Sequence, residues 1–309
     1  MPLCQVNIVR GTLDRPGETT ERLRAALADL APGAPVIVLI HGYKFTPRRA
    51  AHDPHTHILS LEPRPCWKAV SWPRRLGLGA AGGPEPLCIA LGWEARGTLW
   101  QAYGRAAEAG AGLADLIAAV RAARPGAEVQ VLAHSLGARV ALSALPHLEP
   151  GAMGRAVLLA AAETRGRAAC WLDGPAGRAV EIVNVTSREN AVFDGLLEWL
   201  VAPHRWGERA LGRGFGARGP RWLDLAIDDD RVRAALAGLG YAIPAPDRRV
   251  CHWSVYLRSG LFDVYRAVLS GALPLDRLRA ALPEPAMDAP ARPEPFALPP
   301  LPLPRGETS

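Results

Sequence analysis

The stretch VLAHSLGARVAL, residues 131–142, places Ser135 where an apolar run ends and a helical pattern begins. Two chemistries put a serine there. A helix N-cap uses the hydroxyl to accept an orphan backbone N–H. A nucleophile uses it to attack a carbonyl, and must then sit on a strained strand-to-helix turn that lifts Oγ above the sheet. On such a turn the strand and helix backbones nearly touch, so the residues two before and two after must be small. Ala133 and Gly137 meet that need, which exceeds what a cap requires. The same turn aims the Leu136 amide at the space above Ser135, and the helix N-terminus adds a field that favours an oxyanion.

Acyl chemistry at a serine also needs a second oxyanion donor and a base. The run VIVLI at 36–40 leads into His41-Gly42-Tyr43. Gly42 allows a turn after that strand, and the Tyr43 amide is the natural donor. For the base, Cys251-His252-Trp253-Ser254 follows the last strand-like element and precedes a helix, and His252 is the only histidine after His204. A general base takes the serine proton on one ring nitrogen while another group holds the other. His52-Asp53-Pro54-His55-Thr56-His57 raises a metal question, because His55 and His57 would share one face of an extended segment. No HExxH-like framework accompanies it, so a polar loop is expected and no metal or cofactor is assigned. His41 is read as part of the glycine turn. Trp72, Trp93 and Trp253 follow a strand or the presumed base, where ligands of open α/β sheets bind. They are read as walls of an apolar acyl pocket or as ordinary core and rim residues.

Together the segments IHGY, AHSLGARVAL and CHW resemble the α/β-hydrolase superfamily on its esterase and lipase side. The AHSLG form is similar to the elbow of small bacterial lipases and of uncharacterised bacterial hydrolases. The resemblance covers most of residues 1–270 and implies a Ser-His-acid triad with chain order serine, acid, histidine. It also implies that the acid follows the second strand after the elbow helix, here 180–185, in the loop TSRENAVFD at 186–194. A carboxylate is expected at 190, where the sequence has Asn190. Asp194, one helical turn on, is the favoured acid; Glu189 and Asn190 itself are the alternatives.

These residues need elements to hold them. Strands are expected at 6–9, 36–40, 69–72, 88–93, 129–132, 156–159 and 180–185. Helices are expected at 20–30, 98–123, 136–145, 193–201, 231–239 and 261–269. Strands alternating with helices give an α/β fold, a doubly wound, mostly parallel sheet with helices on both faces. The 309 residues, 49% of them hydrophobic, are ample for one such core. One hydrolase domain over 1–281 is expected. The Gly/Arg-rich segment 203–222 reads as an excursion or lid, and the proline-rich 282–309 as an extended, disordered tail.

The formal charge is +6 and nearly all the cations are arginine, with only Lys44 and Lys68 besides. Arginine is spread among acids rather than gathered into a stripe, which argues against a nucleic-acid partner. Five scattered cysteines and no CxxC pair fit a reducing compartment. No apolar run has membrane-spanning length, and the cytoplasm is the expected location. The expected function is hydrolysis of a small-molecule carboxylic ester through an acyl-enzyme on Ser135, with His252 as base, Asp194 as acid, and the Tyr43 and Leu136 amides as oxyanion hole. The alternative is a non-catalytic binding or adaptor protein whose proline-rich tail docks a protein partner.

Overall fold

The computed structural model describes residues 3–79, 85–202, 207–216 and 219–283. Eight strands form one sheet in the order β2-β1-β4-β3-β5-β6-β7-β8. They are β1 Leu3–Val9, β2 Thr12–Leu13, β3 Val36–Ile40, β4 Leu87–Gly92, β5 Val129–His134, β6 Met153–Leu159, β7 Glu181–Thr186 and β8 Trp222–Ala226. Every pairing is parallel except β2 on β1. The helices are α1 Pro16–Ala28, α2 Trp72–Arg75, α3 Leu99–Ala123, α4 Leu136–Ala144, α5 Arg165–Leu172, α6 Pro175–Ala179, α7 Ala191–Val201, α8 Asp230–Gly238, α9 Ser254–Leu257, α10 Leu261–Ser270 and α11 Leu275–Ala281. This is the expected mostly parallel, doubly wound architecture.

The alternation of side chains along a strand divides the core in two. On β3, Val36, Val38 and Ile40 face one side, with Leu23 and Leu27 of α1, Leu113 and Leu116 of α3, and Val140 of α4. Ile37 and Leu39 face the other, with Trp72 of α2, Leu236 of α8 and Val264 and Tyr265 of α10. Both faces of β3 are therefore dry, which is why VIVLI carries no polar residue.

Three expectations are corrected. Residues 69–72 are no strand. Ser71 accepts from the Arg74 amide and Pro73 occupies the first helical turn, so Trp72 opens α2 instead. Second, 203–222 ends in a strand. β8 pairs with β7 in parallel from Ile182↔Trp222 to Thr186↔Ala226. Its central Asp224, which masks the apolar pattern, accepts from Asn184 Nδ2 at 2.7 Å and from the Phe215 amide at 2.7 Å. Third, within 207–216 the chain is packed: the Leu211 amide donates to Glu163 O at 2.8 Å, and Leu211 and Gly212 are buried. Residues 203–206 and 217–218 of the expected lid lie outside the described residues, as does the tail from 284 onward. Among the described residues no helix is long and apolar enough to cross a membrane.

Candidate active site

β5 runs straight into Ser135, and the backbone there turns sharply. Ser135 has φ 56° and ψ −123°, and its side chain makes no capping bond. A non-glycine residue in that region costs on the order of 1–3 kcal/mol and persists only where its surroundings enforce it. The enforcement is visible. The Ser135 amide donates to Leu159 O at 2.9 Å, and its carbonyl accepts from Ala138 and Ala162 at 3.0 and 3.1 Å. Of the two readings of this serine, the cap is therefore excluded. The small-residue requirement is equally concrete: a Cβ on Gly137 would lie 2.6 Å from Ile40 O, and one on Gly42 would lie 2.8 Å from Ser135 Cβ.

The turn after β3 stands directly against this elbow. His41 is fully buried and stacked on Trp93 at 5.5 Å. Its Nε2 accepts from the Trp93 amide at 3.1 Å, so the proton is on Nδ1, which donates to Gly42 O at 2.9 Å. Burial pushes this imidazole down to about 3, so it is neutral. In a planar trans peptide the C=O and N–H point in opposite directions. By holding the Gly42 carbonyl, His41 thus fixes the direction of the Tyr43 amide. Neither the Tyr43 nor the Leu136 amide donates to an acceptor among the described residues.

His252 lies in the turn before α9. The residue preceding the serine, His134, reaches it directly: His134 Nε2 donates to His252 O at 3.1 Å, and the rings are 4.6 Å apart. His134 is itself buried, and desolvation pushes it down to about 4. Phe193 also stacks on His252, at 4.7 Å. Burial, then the neighbouring His134 and Lys68, hold His252 well below the usual imidazole range.

The partner of His252 is Asn190, with Nδ1 and Asn190 Oδ1 2.6 Å apart. Asn190 Nδ2 in turn donates to Asp194 Oδ1 at 2.8 Å. The chain fixes its own protons. A carboxylate only accepts, so the amide nitrogen must face Asp194 and the amide oxygen must face His252. His252 therefore carries its proton on Nδ1 and leaves Nε2 bare. Asp194, the expected direct acid, stands one hydrogen bond further back. A short 3-10 turn, Arg188–Asn190, brings Asn190 to the end of β7, and Asp194 is a helical turn along α7. Glu189 faces away: it forms a buried ion pair with Arg258. Its carbonyl accepts from the Cys251 amide at 2.9 Å, tying the acid loop to the His252 loop.

Sequence reasoning missed a second buried network. Arg139 of α4 pairs with Glu163, whose other oxygen accepts from Tyr103 Oη. The Arg139 guanidinium lies 3.5 Å over the Tyr103 ring. Glu163 follows Ala162, which binds the Ser135 carbonyl, so this network buttresses the elbow from behind. An arginine on the elbow helix was the available signal.

The other candidates are elsewhere. Trp72 and Trp93 are core residues, not pocket walls: Trp72 packs on Tyr256 at 5.3 Å and Trp93 on His41. Trp253 does border His252, at 6.0 Å between rings. In the histidine cluster His55 Nε2 meets Asn7 Oδ1 at 2.8 Å, Asp53 accepts from the His55 amide, and His57 packs on Phe45. A cavity of about 700 Å³ lies beside Asp194 at the ends of β7 and β8, lined also by Asp228, Asp229 and Asp230.

Residues 17–159 match a family described as an alpha/beta hydrolase of unknown function, DUF900. The match runs from α1 to the end of β6. It includes the His41-Gly42 turn and the Ser135 elbow, and stops short of Asn190 and His252. No curated protein matches the chain.

Proposed function

We propose that this chain, which fold and family match together make a member of the α/β-hydrolase superfamily, is a serine hydrolase of carboxylic esters. The observation that carries the reading is the backbone of Ser135, strained to φ 56° and ψ −123° with no capping bond. That strain, on a strand-to-helix turn, supports a reading in which Oγ is presented to a substrate.

The proposed mechanism uses these proton positions. Bare Nε2 of His252 takes the Ser135 proton as Oγ bonds to the ester carbonyl carbon. The tetrahedral oxyanion is met by the Leu136 and Tyr43 amides. Collapse breaks the bond to the alkoxy group, which leaves as the alcohol with the proton from His252. Water, deprotonated by His252, then attacks the acyl-enzyme and releases the acid and Ser135. Asn190 holds the imidazole tautomer, and Asp194 holds Asn190. The reading calls for no cofactor. The five cysteines are unpaired, with Cys4, Cys88 and Cys251 buried, which supports a reducing compartment such as the cytoplasm.

The amide at position 190 is also what favours the rival reading, a non-catalytic α/β-hydrolase scaffold, since Asn190 gives an imidazolium no direct countercharge. Steady-state hydrolysis of short-chain aryl esters separates the two. The enzyme reading predicts turnover that Ser135→Ala lowers by about 10³-fold or more. Equal rates in wild type and variant would overturn it.

A further inference from the structure

The described residues expose six large apolar side chains: Trp67, Trp100, Val192, Leu196, Trp199 and Val250, each 47–58% accessible. They are not scattered. Val192, Leu196 and Trp199 recur at i, i+4 and i+7 along α7, so they form one stripe. Trp100 Nε1 donates to Leu200 O at 2.8 Å, which places it at the C-terminal end of that helix. At the other end Phe193 meets Trp253 at 6.1 Å, and Trp253 meets Trp67 at 5.4 Å. Val250 stands two residues before His252. The exposed apolar surface thus borders the His252 side of the candidate active site.

Cations sit among these rings. Lys68 Nζ lies 3.5 Å over Trp253 and 5.0 Å over Trp67, and the Arg248 guanidinium lies 5.0 Å over Trp67. Arg249 is exposed beside it, with Asp247 the neighbouring acid. On α7 itself Asp194 is buried, and Glu198 is turned to Arg213 and Arg209. The core of a protein–protein interface is depleted of lysine, whereas here Lys68 lies across both the Trp253 and Trp67 rings. Tryptophan with its ring half out, beside cations on long stems, is the composition of groups that settle at lipid headgroups. α7 has eleven residues, a length that lies on a bilayer rather than through it.

We propose that this face seats the protein on an anionic lipid surface, with Trp67, Trp199 and Trp253 at headgroup level and Lys68, Arg248 and Arg249 against the lipid phosphates. Acyl lipids held there are then the esters presented to Ser135, a clause that rests on the hydrolase reading above. The test is co-sedimentation of full-length Ser135→Ala with vesicles of phosphatidylglycerol and phosphatidylcholine in equal parts, against pure phosphatidylcholine. Binding to the mixed vesicles is expected, weaker by about tenfold on the neutral ones and in Arg248→Glu/Arg249→Glu. Trp67→Ser/Trp199→Ser is expected to lose about as much, with its thermal unfolding unchanged. No binding to anionic vesicles, or binding that both double variants keep, would overturn the proposal. So would a dimer that these substitutions disperse in a protein that ignores vesicles. Because Ser135→Ala turns nothing over, the two readings fail separately. Vesicle binding without any Ser135 reactivity in the wild type would leave the docking face and remove the esters; reactivity without vesicle binding would remove the docking face and its lipid esters and leave only the hydrolase reading.

Discussion

His252 Nδ1 stands 2.6 Å from Asn190 Oδ1, so an amide holds the imidazole where a carboxylate is usual in a serine triad. An amide oxygen fixes the tautomer as a carboxylate does, but it offers the imidazolium no direct countercharge. Asn190→Asp supplies that charge in contact. It should raise the His252 pKa and shift the acid limb of kcat/KM to higher pH. Asn190→Ala removes the orienting bond and should lower kcat by about 10²-fold or more. A pH–rate profile of the two variants checks this. A limb that does not move in Asn190→Asp would contradict the geometry.

Asp194 acts on the imidazole only through Asn190. Asp194→Ala should therefore cost less than Asn190→Ala, on the order of tenfold in kcat, because the amide can still reach His252 but is free to flip. Comparing the two losses under saturating ester tests the order of the chain. A larger loss in Asp194→Ala would reverse it.

Two buried histidines make stability depend on pH. His41 is pushed down to about 3 and His134 to about 4, both by burial, whereas an unfolded histidine titrates near 6.5. Below about 6.5 the unfolded chain binds protons that the folded chain does not. Their contribution is complete above that pH and is lost as pH falls toward the folded values. The slope approaches about 1.4 kcal/mol per pH unit for each histidine. Urea midpoints at neutral and mildly acid pH should show a drop that shrinks when His134 is replaced by a neutral side chain such as glutamine.

The Arg139–Glu163 pair is buried on both sides. Removing one partner leaves a charge without compensation, so Glu163→Ala should destabilise by about 3–5 kcal/mol. Chemical denaturation measures it. Because Glu163 adjoins the residue that holds the Ser135 carbonyl, the variant should also lose activity before it unfolds.

Much of this was legible in the residues. VIVLI gave β3 to the residue because a strand dry on both faces has no polar position to blur its ends. Ala133 and Gly137 marked the elbow; at Gly137 a Cβ would meet the end of β3, 2.6 Å from Ile40 O. β8 was not legible, since Asp224 interrupts its apolar pattern and is held by partners on other segments, Asn184 of β7 and the Phe215 amide, as well as by the Trp222 indole. Trp72 and Trp93 read equally well as pocket or core because hydropathy does not say which end of a strand is open. The order Asn190 before Asp194 was also out of reach. It depends on a 3-10 turn at Arg188–Asn190 that a helical wheel does not anticipate.

The most direct test of the central claim is labelling of the folded protein with a fluorophosphonate and mapping of the modified peptide. The account predicts a single adduct on Ser135, absent from Ser135→Ala and slowed in His252→Ala. Folded protein that takes no label, or takes it at another serine, would contradict it.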